Sequence, residues 1–187
     1  MNAFHSFRIQ YPRKENIAMN RRMNCSSQLP MAYLLQRQPQ AAAVISGSDE
    51  YPDIYGLVKF YQLRTGVIVY AEISGLPKGS DSCSGMIFGF HIHAGTSCTG
   101  NMNDPFAGAM SHYDRDKCTH PHHAGDLPPL FGNSGKALSI FLTNRFTVNE
   151  IIGRTVIIHD NADDLMTQPS GNSGNKIACG VITAPAR

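Results

Sequence analysis

From residue 54 onward the apolar residues of this chain recur with a period of two, and that alternation limits its fold more than any other feature. Residues 54–63 and 65–74 read as two strands joined near Arg64, Thr65 and Gly66, a hairpin. Segments 84–93, 135–142, 152–159 and 176–182 have the same strand character, and residues 41–46 add a further strand. No segment carries a sustained helical period. Between the strands lie stretches rich in Gly, Pro, Asn and Asp, chiefly 94–134 and 160–175. They are longer than a compact domain uses for simple connection. Short strands divided by turn chemistry predict an all-β fold, a sandwich or Greek-key barrel with two long functional loops.

A chain of 187 residues has room for one such domain plus an extension. It has no apolar run long enough for a transmembrane helix, and residues 1–24 scatter Arg and Lys without the apolar core of a signal peptide. A cytoplasmic protein with no membrane partner is expected. Residues 1–44 hold six Lys and Arg against one Asp or Glu, whereas the remainder holds ten against thirteen. The basic segment shows neither aromatic interleaving nor a recognisable motif, so no nucleic-acid partner is expected. It reads as a basic, disordered N-terminal extension over residues 1–41 ahead of a domain at 42–187, with Met31 as an alternative start.

Seven of the eight histidines fall between positions 91 and 159. In Gly89-Phe90-His91-Ile92-His93 the two histidines are two apart on a strand, so their rings share one face while Phe90 and Ile92 take the other. Neutral imidazoles held on a rigid strand are a ready chelate, because each brings a lone pair without an accumulated charge. His112 follows, and then His120, His122, His123 and Asp126 crowd one loop. Three imidazoles and one carboxylate suit a tetrahedral zinc ion. His159 ends the apolar run Val156-Ile157-Ile158, which brings its ring to a strand mouth. Any one of these could be a solvated loop histidine; the set together points to metal. A zinc hydrolase would need a glutamate general base beside the ligands, and Glu72 and Glu150 accompany none of them. The five cysteines, at 25, 83, 98, 118 and 179, are spread too widely for a CxxC site.

These residues carry a resemblance over roughly 42–183. It rests on Gly89-Phe90-His91-Ile92-His93, on His123-Ala124-Gly125-Asp126-Leu127 and on Ile152-Gly153-Arg154-Thr155-Val156-Ile157-Ile158-His159 with Ala162-Asp163-Asp164-Leu165. Gly171-Asn172-Ser173-Gly174, leading to Ile177-Ala178-Cys179-Gly180-Val181-Ile182, completes it. In these motifs the chain resembles the copper/zinc superoxide dismutases, of the bacterial type with a shortened zinc loop. The resemblance implies an eight-stranded Greek-key β-barrel. It also implies an enzyme that turns two superoxide anions and two protons into oxygen and hydrogen peroxide by Cu(II)/Cu(I) cycling, with zinc in a structural role. Copper would be held by His91, His93, His112 and His159, and zinc by His112, His120, His123 and Asp126. His112 is then shared and handles a proton. His122 competes with His123, and the His-x-x-Asp register favours His123. Asp163 would link His91 to His120 by hydrogen bonds.

The resemblance further implies a Cys98–Cys179 disulfide. Cys83 and Cys118 are left as a second pair or as free thiols, and Cys25 belongs to the extension. Lys176 stands where the family has an arginine that attracts the anion; it keeps the charge and loses the planar fork. Slowed but salt-dependent dismutation is expected. Ser170 matches a hydroxyl that narrows the anion channel, Arg115 replaces a proline after the bridging histidine, and the shortened 159–176 loop should widen the copper mouth. The rival expectation is a non-enzymatic member of the same fold, a copper storage or delivery protein. A homodimer is compatible with the resemblance, though no interface is legible.

Overall fold

A computed structural model describes residues 36–80 and 86–185. Cys25, Cys83, Met31, residues 84–85 of the third strand segment and all but the last residues of the 1–41 extension lie outside the described residues. Nine strands are present among them: β1 (Ala41–Gly47), β2 (Tyr55–Leu63), β3 (Gly66–Ser74), β4 (Ile87–Phe88), β5 (Phe90–His93), β6 (Leu130–Phe131), β7 (Lys136–Thr143), β8 (Thr155–His159) and β9 (Lys176–Thr183). A single helical turn, α1 (Val148–Ile151), and a 3-10 turn at Ala107–Ala109 are the helical elements described.

The period-two alternation does what it predicts. On β3, Val67, Val69, Ala71 and Ile73 face the core, while Tyr70 and Glu72 face outward and share a hydrogen bond of 2.7 Å. Phe60 of β2, Phe90 and Ile92 of β5, and Val156 and Ile158 of β8 fill the same interior. Seven strands form one antiparallel sheet in the order β5-β8-β9-β1-β2-β3-β7, and β4 pairs with β6. Because β4 runs directly into β5, and β6 turns through a bridge between Asn133 and Lys136 into β7, the two edges of the large sheet are joined. The sheet therefore curls into a barrel. The β3–β7 and β1–β9 pairings skip along the chain, which is Greek-key connectivity. Counting β4 and β5 as one interrupted strand leaves eight. No helix among the described residues is long and apolar enough to cross a membrane.

Three local expectations need correction. Segment 84–93 is broken at Gly89, whose amide donates to the Asn161 carbonyl at 2.7 Å and whose carbonyl accepts from His159 at 2.9 Å. Its carbonyl still pairs with the end of β8, and its amide turns to hold the metal-side loop. Segment 152–159 is extended only from Thr155, because α1 precedes it. The Thr147-to-Glu150 spacing there is a capping signal, with the Thr147 amide donating to Glu150 Oε2 at 2.5 Å. Strand β6 falls inside the predicted 94–134 loop. Its two residues sit between Pro128-Pro129 and Gly132-Asn133, so local turn chemistry masks a pairing that only β4 provides.

Phe60 is fully buried and meets the Phe146 ring edge-on at 6.4 Å. Replacing it with alanine removes that area and leaves a cavity in a barrel that cannot collapse. The F60A protein should lose about 4 kcal/mol of unfolding free energy, read from urea denaturation of the metal-free form.

Candidate metal centre

Strand β5 is the last strand of the large sheet, so one of its edges is free of ladder partners. The 94–129 loop covers that edge. Ile92 donates to the Gly125 carbonyl and accepts from the Tyr113 amide, both at 2.8 Å, and Ala94 donates to the Ser111 carbonyl at 2.8 Å. Isolated bridges set His93 opposite His112 and His91 opposite Asp126. The approach is close enough that a Cβ on Gly125 would overlap the Ile92 carbonyl oxygen. Two ligand-bearing segments of the loop are thereby aligned with the His91 and His93 rings. All seven residues, His91, His93, His112, His120, His123, His159 and Asp126, are buried.

They form two adjoining groups. His91, His93, His112 and His159 bring one ligand atom each within 4.8 Å of one another, and so do His112, His120, His123 and Asp126. His112 belongs to both. In the first group His93 Nδ1 donates to the Met110 carbonyl at 2.8 Å and His159 Nδ1 to the Gly174 carbonyl at 3.3 Å. Their Nε2 atoms then face each other at 3.2 Å. His91 and His112 rings stack beside them with centroids 3.9 Å apart.

Asp163 sets the tautomers. His91 Nε2 donates to its Oδ2 at 2.7 Å and His120 Nε2 to its Oδ1 at 2.9 Å, since an ionised carboxylate can only accept. That leaves the Nδ1 lone pairs of His91 and His120 without a hydrogen-bond partner, together with His112 Nε2 and His123 Nδ1. Four orphaned buried nitrogens aimed inward are an expensive arrangement unless a cation accepts them. On the second side His112 Nδ1 lies 2.7 Å from Asp126 Oδ1, while His120 and His123 Nδ1 lie 3.1 and 3.3 Å from its Oδ2 without bonding it. The donor set of three imidazoles and one carboxylate fits zinc, and four converging imidazoles fit copper.

The supports come from distant segments. Gly171 has φ +67°, and a Cβ there would overlap Asp163 Oδ1. The Leu165 amide donates to the same oxygen at 2.7 Å. Gln168 grips His120 from both sides, accepting from its amide at 2.9 Å and donating to its carbonyl at 2.7 Å. Arg145 Nη1 donates to the Pro121 and His123 carbonyls at 2.7 and 3.2 Å. Arg145 and Gln168 escaped the sequence reading, which offers no local signal for either. His122, two residues after His120, lies outside both groups.

Cys98 and Cys179 are disulfide-bonded with Cα atoms 5.7 Å apart, and they pack with Phe106, Ala109 and Ile157. Cys118 is free and exposed. Arg115, in place of a proline, pairs with Asp116 and Glu150 at 2.9 and 2.6 Å, tying the loop to α1 by exposed contacts that contribute little. A cavity of about 330 Å³ opens over His93, His112, His123 and His159, and Ser170 and Lys176 line it. Lys176 Nζ donates to Asp104, a residue that carried no expectation.

The fold and the site define a β-barrel metalloprotein with two adjoining metal positions that share one histidine. The model of the copper/zinc superoxide dismutase family matches residues 54–182. A superoxide dismutase [Cu-Zn] of Deinococcus radiodurans is 33% identical over 155 residues, covering 73% of this chain and 81% of its own. One from Legionella pneumophila is 35% identical over 140 residues, covering 70% and 79%. A superoxide dismutase [Cu-Zn] A of Xenopus laevis is 31% identical over 159 residues, covering 76% and 96%. The chain belongs to the copper/zinc superoxide dismutase family.

Burial, aided by the neighbouring rings, pushes His91 down to about 4 and His159 to about 3, against the opposing pull of Asp163 on His91. His93 is lowered as well, first by burial. In the unfolded chain these rings take up a proton near the ordinary value of 6.5. Between about pH 6.5 and 4 the unfolded state therefore binds more protons, and stability rises with pH. The metal-free protein should hold its full urea midpoint above about pH 7 and lose it progressively as pH falls through that window. A midpoint that stays flat from pH 7 to 4 would show that the rings are not neutral in the fold.

Proposed function

We infer that this protein is a superoxide dismutase: two superoxide anions and two protons become oxygen and hydrogen peroxide, with copper and zinc as cofactors. The observation that carries the reading is the shared His112, whose two ring nitrogens serve two adjoining sets of buried donors. His91, His93, His112 and His159 are assigned to copper, and His112, His120, His123 and Asp126 to zinc. Bound copper would supply the one-electron chemistry by alternating between Cu(II) and Cu(I), and zinc would supply none.

The chain's own residues then have distinct tasks. His112 Nδ1 is committed to the Asp126 side, so Nε2 is the atom at which the ring takes up and releases a proton beside the cavity. Asp163 orients His91 and His120 together, coupling the two sites through one carboxylate. Lys176 is the cation that attracts the anion, and Ser170 narrows its approach. Storage or delivery of copper is disfavoured because a complete donor set faces an open cavity. The domain of this reading spans 42–187 behind the basic extension 1–41. Its cytoplasmic location is tested by cell fractionation, and the Cys98–Cys179 bond pulls against it, since disulfides persist in oxidising compartments. A homodimer would cover the exposed Leu138, Ile140 and Leu142 of β7, and sedimentation would read it.

The deciding experiment is superoxide decay after pulse radiolysis, on protein loaded with copper and zinc beside protein loaded with zinc alone. Catalytic decay only with copper is the expected result, and full copper occupancy without catalysis would move the reading to metal storage. K176A should slow decay by roughly tenfold at low salt and flatten its ionic-strength dependence. D163N should weaken metal binding by about 10- to 100-fold in chelator competition, because both His91 and His120 lose their orienting acceptor.

A further inference from the structure

Lys176 opens β9 with its side chain between two hollows. One is the cavity over the histidines; the other is a polar depression of about 500 Å³ formed with Ser48, Glu50, Tyr51, Asp160 and Asn175. Its Nζ donates to Asp104 Oδ2 at 2.5 Å and to the Phe106 carbonyl at 3.3 Å. An ammonium has three N–H groups, so one remains for an incoming anion.

Asp104 is held in place rather than free to swing. Its Oδ1 accepts from the Phe106 amide at 3.0 Å, its amide donates to Asn101 Oδ1 at 3.1 Å, and its carbonyl accepts from Asn101 and Ala107 amides at 2.9 and 3.2 Å. The segment is anchored next to it. Phe106 is buried against Ile157 and the Cys98–Cys179 bond, and Cys179 lies on the strand that carries Lys176. Carboxylate and ammonium are thus fixed to one frame. Among the described residues Lys176 is also the only Lys or Arg lining the cavity, which has Asp114 in its wall.

We infer that Asp104 is a positioning and specificity-determining residue that holds the Lys176 ammonium at the rim and offsets its charge, so that the cavity draws small anions weakly. The inference rests on the reading of Lys176 as the anion guide. With Asp104 in contact the pair is formally neutral, and an anion feels a dipole instead of a unit charge. The pair rather than the lysine alone sets how the rim selects anions.

D104N tests this, because asparagine keeps an acceptor for Lys176 and for the Phe106 amide while removing the charge. In the copper- and zinc-loaded protein, azide affinity is read from the azide-to-copper absorption band, and superoxide association from pulse radiolysis across ionic strength. D104N should bind azide about threefold more tightly, the scale of one unit charge at a partly screened distance. Its superoxide association should rise by a similar factor at low salt and decline more steeply with salt, and D104E should match the parent. Unchanged azide affinity in D104N, with weakened affinity in K176A, would overturn the role of Asp104 and leave the guide intact. Weaker azide binding in D104N would overturn the charge offset and with it the selectivity assigned to Asp104, since the carboxylate would then only aim the lysine. No change in either variant would remove the guide reading itself. Matching thermal denaturation of the variants and the parent verifies that folding is unaffected.

Discussion

The pairing of the 94–129 loop with the free edge of β5 is the contact on which the rest of this molecule depends. An edge strand left bare would expose backbone donors and acceptors. Here they are satisfied by Tyr113, Gly125 and Ser111. The same hydrogen bonds bring His112 and Asp126 opposite His93 and His91. Satisfying the backbone and assembling the metal centre are one event, because His112 and Asp126 are the immediate chain neighbours of the residues that cap the strand.

A second constraint acts through charge. Seven buried polar side chains converge beneath the cavity, and only a partner of opposite character offsets their desolvation. Asp163 supplies part of it by accepting from His91 and His120, and the Leu165 amide and the close approach of Gly171 keep it there. Burial would push its carboxyl pKa up, but the His91 bond, the Leu165 amide and the His120 bond outweigh burial and hold it below the ordinary carboxylate range. The remaining lone pairs point inward, and metal ions complete the accounting. The 160–175 loop and the 94–129 loop are therefore coupled through one carboxylate, although neither carries a strand or an α-helix.

The proposed anion guide, Lys176, stands at the rim of the cavity. Among the described residues a single lysine lines the cavity, and the disulfide-anchored segment presents a carboxylate to it. Exchange of arginine for lysine in such a position loses donors, and two of the three that remain are engaged by Asp104 and Phe106. The geometry at the rim thus depends on a loop whose own sequence carries no obvious signature of this task.

Much of the barrel and most of the site were legible in the sequence. The alternation along β2 and β3 requires one face turned to the core, and the spacing of His91 and His93 on β5 puts both rings on the face opposite Phe90 and Ile92. His120, His123 and Asp126 lie within one short stretch, so their grouping is local. What sequence alone left out is non-local. The break at Gly89 depends on Asn161 and His159, β6 exists because β4 is there to pair with it, and Arg145 reaches the carbonyls of a loop some twenty residues away. The partnership of Lys176 with Asp104 joins positions 72 apart. Periodicity and short motifs report what a residue and its near neighbours prefer. Hydrogen bonds between distant segments exist only after the barrel has closed, and so tertiary structure decided them.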